Sequence, residues 1–547
     1  MGSSQPINLH HMNPIMKAFL IILCLTFSIG AFSQLKSNSE INVKHYQFEL
    51  TLSDSTDVIQ GVARISVLFK KDVERFTLDL MNKTSDGKGM QVSSVATKEG
   101  KVSFLHEKNV LTVLSDGKEG SEIEIIIYYS GIPDDGLIIA RNKYGDRTFF
   151  GDNWPNRAHH WLPVVDHPSD KASVDFIVTA PIHYEVVGNG LKLEESYLGN
   201  NKKITHWRET VPIATKVMVI GAARFAIQYA AEVQDIAVEH WVYPQDRLNG
   251  FHDYAAAEKI LTFFIKQIGD YPYKKLANVQ SKTKYGGMEN ASNIFYFENS
   301  VNGKADHDNL IAHEIAHQWF GNSASETDWH HVWLSEGFAT YFTHIYNEYT
   351  YGEEKRAQEM TESRDQILKN KELKEIPIVL KTLPQNLLSI LNSNSYQKGG
   401  WVLHMLRREI GDDAFWKAIR AYYQKYQNSN ASTADFQSVV ESVSGKDLDS
   451  FFNQWLFQPG HPELEIDWKH DPRNGTVSVT VNQTQKGQVF KFPLDIGLYG
   501  EGQLQQKVEK LEISQKTQKF TIKTDFTPVR MVADPNVNLL FESKNRN

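Results

Sequence analysis

The stretch Leu310-Ile311-Ala312-His313-Glu314-Ile315-Ala316-His317-Gln318-Trp319-Phe320, closed by Gly321-Asn322, decides how the chain is read. Its apolar spacing and glycine stop predict a helix over 310–320. Four residues of α-helix turn through about 400°, so His313 and His317 project from one face about one pitch apart. Two imidazoles so placed can meet one zinc ion, and Glu314 can reach water at that ion. Taken alone, the pattern is also compatible with two surface histidines, since the chain has 20 of them. The context favours a metal. Glu336 stands in Trp333-Leu334-Ser335-Glu336-Gly337-Phe338-Ala339, the opening of a second predicted helix, with eighteen residues between it and His317. That separation allows a loop and an antiparallel return that aims a carboxylate at the same ion. Two histidines and one carboxylate leave a fourth position for water, the arrangement of a catalytic zinc rather than a structural one.

Outward from this helix the pattern changes twice. From about Val43 to Pro244 apolar residues alternate with polar ones: Tyr46, Phe48 and Leu50, then Ile65, Val67 and Phe69, then Ile123 to Tyr128. A period of two predicts strands, and Asp86-Gly87 and Gly188-Asn189-Gly190 read as the turns between them. The expectation is a large antiparallel β domain, a saddle or sandwich. Beyond Asn249-Gly250 the period becomes helical, with candidates over 254–268, 310–320, 334–349, 353–369, 398–410, 412–426 and 433–443. Pro459-Gly460-His461-Pro462 ends that regime, and Val477, Val479 and Val481 restore alternation in a small C-terminal β domain.

A chain of 547 residues, 41% of them hydrophobic, is too long for one core and rich enough to fill several. Its 66 acidic and 58 basic residues are mixed along the chain, so no basic stripe exists to hold a phosphate backbone and nucleic acid is not expected as a partner. Met16-Lys17, the apolar run Ala18 to Leu25 continuing to Ile29, and Ala31-Phe32-Ser33-Gln34 read as a secretory signal peptide cut before Gln34, preceded by an upstream extension. The run is short for a span, so no stable membrane insertion is expected after cleavage, and the mature chain is expected to be periplasmic, surface-associated or secreted. The one cysteine, Cys24, lies inside that run. Disulfides, a cysteine nucleophile and a cysteine-rich metal site are therefore excluded.

Gly286-Gly287-Met288-Glu289-Asn290, the histidine pair followed by Glu336, and Tyr396-Gln397-Lys398-Gly399 together resemble the aminopeptidase N family of gluzincin metallopeptidases, the group that includes leukotriene hydrolase. Supporting similarity lies in Trp161-Leu162-Pro163-Val164-Val165-Asp166-His167-Pro168 with Lys171, in Tyr271-Pro272-Tyr273, and in Trp455 with Gln458 to Pro462. The resemblance spans most of the mature chain and implies an α+β multidomain fold. After residues 1–33, it implies an N-terminal β domain (34–245), a thermolysin-like, mainly α-helical catalytic domain (246–460) and a C-terminal β-sandwich (461–547). It further implies one Zn2+ ion on His313, His317 and Glu336, Glu314 as general base, and Tyr396 as donor to the developing oxyanion. Substrates would be peptides with a free amino terminus, whose ammonium Glu289 binds within the segment Gly286, Gly287, Met288, Glu289 and Asn290. Two residues without Cβ also let a backbone approach an extended peptide as an added strand, although a glycine pair by itself fits an ordinary turn.

Three departures from the family pattern stand out. Where a second amine-binding glutamine or glutamate is usual, this chain has Asp152-Asn153-Trp154-Pro155, and no residue is assigned to that role. Ser335 replaces a common asparagine before the third ligand. The chain is expected to be a short form, without the long C-terminal helical domain after the small β domain, and so to have a more open cleft. His307, His330, His331, His344 and His404 are expected to be bystanders, with His159, His160 and His167 at a solvated surface or a domain interface; Tyr271 and Tyr285 are expected to be structural or pocket-lining. Two other readings stay open, a zinc endopeptidase and a non-catalytic peptide-binding protein. The joint presence of His313, Glu314, His317, Glu336 and Tyr396 favours an enzyme.

Overall fold

The computed structural model describes residues 37–501 and 506–544. The expected signal peptide lies outside the described residues. Strict alternation builds the first sheet: in Ile41–Thr51 and Ile59–Phe69 the residues Tyr46, Phe48, Leu50, Ile65, Val67 and Phe69 are all buried while their neighbours face outward. Eight strands run in the order Leu191–Gly199, Lys202–Ala214, Lys171–Pro181, Ile41–Thr51, Ile59–Phe69, Glu122–Ile132, Gly89–Thr97 and Gly100–Val102. The sheet is not wholly antiparallel as expected. Ile41–Thr51 pairs in parallel with Lys171–Pro181, because the chain returns to this edge through the long intervening run of strands rather than by a tight turn. A four-stranded sheet that includes Arg147–Gly151 and Ile220–Ala223, and a three-stranded one of Phe76–Asp79, Val110–Val113 and Phe104–Glu107, complete this β region.

A mixed five-stranded sheet follows, ordered Ala226–Val233, Ile236–Val242, Lys275–Ser281, Asn293–Phe297 and Gly287–Met288. Ile236–Val242 pairs in parallel with Lys275–Ser281, and helix Ala256–Ile268 lies between them in sequence. The sheet therefore crosses the division expected at residue 245, because a parallel pair needs a crossover and a helix supplies it. Gly287–Met288 is the outermost strand of this sheet, paired on one side with Tyr296 and Phe295.

The helical region holds Asp308–His317, Trp333–Tyr351, Glu353–Lys369, Gly399–Ile410, Asp412–Tyr426 and Thr433–Ser444. The first two pack against each other, and the second packs against Gly399–Ile410. That last contact is unusually close. A Cβ added to Gly337 would lie 2.9 Å from the Gly399 backbone, so only a glycine pair lets the two backbones meet. The C-terminal strands form a four-stranded and a three-stranded sheet, with Val477, Val479 and Val481 of one and Leu494, Ile496 and Leu498 of the other buried.

Polar groups tie the N-terminal β region to the helices. The Lys171 ammonium donates to the carbonyls of Asn322, at 3.0 Å, and Ser323, at 2.6 Å, in the turn after the histidine-bearing helix. Burial pushes that lysine down to about 7. Lys216 and Glu326 form an ion pair at 2.5 Å with both side chains almost fully enclosed. His159 and His167 are buried, which corrects the solvated alternative for this cluster: His159 is held by Asp166 at 2.7 Å, and His167 faces Asp328 of the helical region at 4.0 Å. Removing one partner of an enclosed ion pair strands the other, at a cost of about 3–5 kcal/mol. Lys216→Met should therefore lower the urea unfolding midpoint by a corresponding amount, whereas Lys118→Met, in a pair with Asp72 that is exposed on both sides, should leave it unchanged.

Candidate active site

His313 and His317 leave the helix Asp308–His317 on one face, and Glu336 leaves the first turn of Trp333–Tyr351 toward them. The two Nε2 atoms are 3.1 Å apart, and Glu336 Oε2 lies 3.2 Å from His317 Nε2 and 3.6 Å from His313 Nε2. Donors about 2.0–2.2 Å from a tetrahedral zinc stand about 3.3–3.6 Å from one another; the 3.6 Å edge falls in that range, and the 3.1 and 3.2 Å edges lie just below it. No hydrogen bond reaches the enclosed Glu336 Oε2. A divalent cation satisfies all three atoms at once; the residues fit the metal that the sequence implies.

The electrostatics agree. Glu289, Glu314 and Glu336 are all buried around His317, and among the described residues no lysine or arginine pairs with any of them. Burial alone would depress His317, but Glu336 and Glu289 override it and push it up to about 10. Burial would likewise raise Glu336, yet the two histidines hold it far below the usual carboxylate range. Glu314 is pushed well above that range by burial, with His317 opposing and Glu289 and Glu336 adding to the rise. Such a surplus of enclosed negative charge is a cation site by its own chemistry.

The neighbours of these groups explain their aim. His317 Nδ1 is 3.1 Å from the Phe320 carbonyl and 3.1 Å from Ser335 Oγ, so a proton held on Nδ1 leaves Nε2 free to ligate. Gly321, at φ +118°, makes room for Ser335: a Cβ there would be 2.2 Å from Ser335 Oγ. Gly287 plays the same part for Glu314, whose Oε1 would be 2.3 Å from an added Cβ, while Gly286 has only Leu310 within reach, at 3.5 Å. Gln318 donates to the Glu289 carbonyl at 2.8 Å and so anchors that residue from the histidine helix. The sequence does not single out Ser335, Gln318 and Gly321 for these duties, because their partners lie on other elements.

Tyr396 lies in a π-helical turn, Asn394–Lys398, rather than ahead of a plain helix, and its ring stacks on His313 with centroids 5.9 Å apart. One cavity is lined by Gly287, Met288, Glu289, His313, Glu314, His317, Glu336 and Tyr396, together with Trp154, Tyr285 and Leu391. Gly286 and Asn290 are outside that lining, Asn290 being buried with its amide unpartnered. Tyr285 is pocket-lining, while Tyr271 is buried against Tyr273 and Trp319. Glu289 Oε1 is enclosed and has no hydrogen-bond partner, and its carboxylate is grouped with Glu314 and His317 within 4.8 Å. His344 pairs with Glu359, His404 with Tyr341 and His330 with Asp328; none joins the triangle.

Two family models match the chain: the peptidase M1 N-terminal domain over residues 42–217 and the peptidase family M1 domain over residues 253–455. Among curated proteins, the chain is 24% identical to "Probable aminopeptidase 2" of Sulfurisphaera tokodaii, over 87% of this chain and 63% of that one. It is 30% identical to "Aminopeptidase M1-D" of Oryza sativa, over 83% of this chain and 54% of that one. It is 26% identical to "Glutamyl aminopeptidase" of Homo sapiens, over 60% of this chain and 35% of that one. The chain thus matches between about a third and three-fifths of the length of these relatives.

Partners behind a ligating histidine are typically worth 10–100-fold in metal affinity. Ser335→Ala removes one of two acceptors from His317 Nδ1 and should weaken zinc affinity by about tenfold, measured by competition with a chromophoric chelator. Glu336→Ala should abolish stoichiometric binding in the same assay.

Proposed function

The chain belongs to peptidase family M1, and from that premise we propose that it is a zinc-dependent aminopeptidase that hydrolyses the first peptide bond of peptides with a free amino terminus. The observation that carries the reading is Glu289: an enclosed carboxylate oxygen without a partner, beside the His313, His317 and Glu336 triangle. A substrate ammonium is the group that completes it, and this fixes the distance from the chain end to the cleaved bond.

His313, His317 and Glu336 would hold the ion. When bound, zinc supplies Lewis acidity, activating water as a nucleophile near neutral pH and polarising the scissile carbonyl. Glu314 takes the proton of the attacking water and returns it to the leaving amine; its raised proton affinity suits a base that must also act as an acid. The Tyr396 hydroxyl donates to the oxyanion that develops on the carbonyl. The open edge of Gly287–Met288 offers backbone groups on which the substrate lies as an added strand. With the export signal read at the start of the sequence, the substrates would be peptides outside the cytoplasm.

An aminoacyl chromogenic reporter assayed beside the same peptide N-acetylated tests the reading. Cleavage of the free-amine substrate alone, lost with a chelator and regained with zinc, is expected; equal cleavage of the acetylated peptide makes the protein an endopeptidase instead. Glu314→Gln should keep its zinc and lose about 10²–10⁴-fold in kcat, and retained turnover refutes its role as base. Gly287→Ala should cost about 10²-fold through displacement of Glu314, while Gly286→Ala stays near the parent rate.

A further inference from the structure

A second cavity, of about 300 Å³, lies where helix Gly399–Ile410 and the segment Phe451 to Trp455 meet the C-terminal strands. Its volume is in the range of small-molecule sites. Met405, Phe451, Trp455, Phe492 and Leu539 give it an apolar lining, and charged groups of both signs stand around them. The acids are already engaged. Asp534 accepts from the amides of Asn538, at 2.7 Å, and Leu539, at 3.0 Å; Asp495 accepts from the Asn538 side chain at 3.3 Å; Glu409 is paired with Lys446 at 3.1 Å.

Two of the three bases are not paired. Among the described residues Lys491 and Lys510 have no ion-pair partner, and Arg408 has only Asp412, at 4.0 Å. Even with Asp495 opposite Lys510 across the strand pair, Lys491 and Lys510 are the lining bases without an ion-pair partner, and an anion set against the apolar surface is the ligand that would pair with them. Asn538 adds a directional element, since its side-chain carbonyl is enclosed and unpartnered and would accept from an N–H. The wall that carries it is held under strain: Asp534 at φ +52° and Val537 at φ +56° are both left-handed, a conformation that a β-branched residue rarely adopts. His404 Nε2, 3.1 Å from the Val537 carbonyl, and Arg364, 3.9 Å from Asp534, pin this wall to the helices. Gln454 fixes the opposite side by a reciprocal pair of bonds with the Lys491 backbone, at 2.7 and 3.0 Å.

We propose that this interdomain cavity is a binding site for an apolar amino-acid carboxylate: the carboxylate on Arg408, Lys491 and Lys510, the amino-acid N–H on Asn538, and the side chain against Trp455 and Phe451. It is separate from the candidate active site, since Met405 and Arg408 lie toward the far end of the helix that follows the Tyr396 turn. The test uses the zinc-loaded full chain with leucine hydroxamate saturating the active site, titrated calorimetrically with N-acetyl-L-leucine and with N-acetyl-L-leucinamide. The acid is expected to bind and the amide to bind roughly tenfold or more weakly, a difference of one lost charge-assisted contact. Arg408→Gln with Lys510→Gln should abolish that preference while leaving kcat/KM on the aminoacyl reporter and the melting temperature unchanged. Octanoate, which has no N–H, should bind more weakly than N-acetyl-L-leucine. Acid and amide binding alike, an unaltered preference in the double variant, octanoate binding as tightly, or no heat at millimolar ligand overturns the proposal.

Discussion

Enclosed like charge is the constraint on which the rest of the structure depends. Glu289, Glu314 and Glu336 converge on two imidazoles in a space from which solvent is largely removed, and no lysine or arginine among the described residues pairs with them. Isolated carboxylates in such a place are expensive to keep ionised. Protein positive charge would cancel the cost but would also destroy the site. In the proposed function, a divalent ion on the Glu336 side and a substrate ammonium on the Glu289 side would cancel it while leaving Glu314 free to move protons. The arrangement gives up stability to keep this group of carboxylates together.

Holding these groups so close demands backbone that comes closer than side chains allow. Gly337 meets Gly399, Gly287 yields to Glu314, and Gly321 yields to Ser335. Each contact sets one separation: the Glu336 helix to the Tyr396 turn, Glu314 to the edge strand Gly287–Met288, and the His317 ring to the group that orients it. The N-terminal β region contributes from outside, since Lys171 grips the turn that ends the histidine helix and Lys216 pairs with Glu326 just beyond it. The β region is thus a brace for the turn after the histidine helix and, through Trp154, a wall of the cavity.

The periodicities of the sequence made the strands Ile41–Thr51 and Ile59–Phe69 and the helices Glu353–Lys369 and Asp412–Tyr426 legible, because each buries one face and leaves the other wet. Parallel pairing was not legible. Whether Ile41–Thr51 lies along Lys171–Pro181 in one sense or the other leaves the same alternation in both strands, and the choice is made by a connection of more than a hundred residues. The triangle of His313, His317 and Glu336 could be read because helix pitch converts spacing into direction; Ser335 and Gln318 could not, because their partners are set by how two elements cross. For His159 and His167 the sequence left a solvated surface and a domain interface both open, and packing decides between them: His159 is enclosed against Asp166, and His167 faces Asp328 of the helical region.

Selectivity for a free amino terminus follows from the same charge argument if Glu289 has the proposed role. Attraction between an ammonium and a carboxylate is modest when both can be hydrated, so a contact alone discriminates weakly. Here the carboxylate is already stripped of water, and an acylated substrate would seal it in with nothing to balance it. The penalty for the wrong substrate then exceeds the reward for the right one, as it does wherever a buried polar group is left unpaired. On this view the desolvation of Glu289, which the fold pays for through Gln318 and the packed histidine helix, is what makes the site measure from the end of a chain.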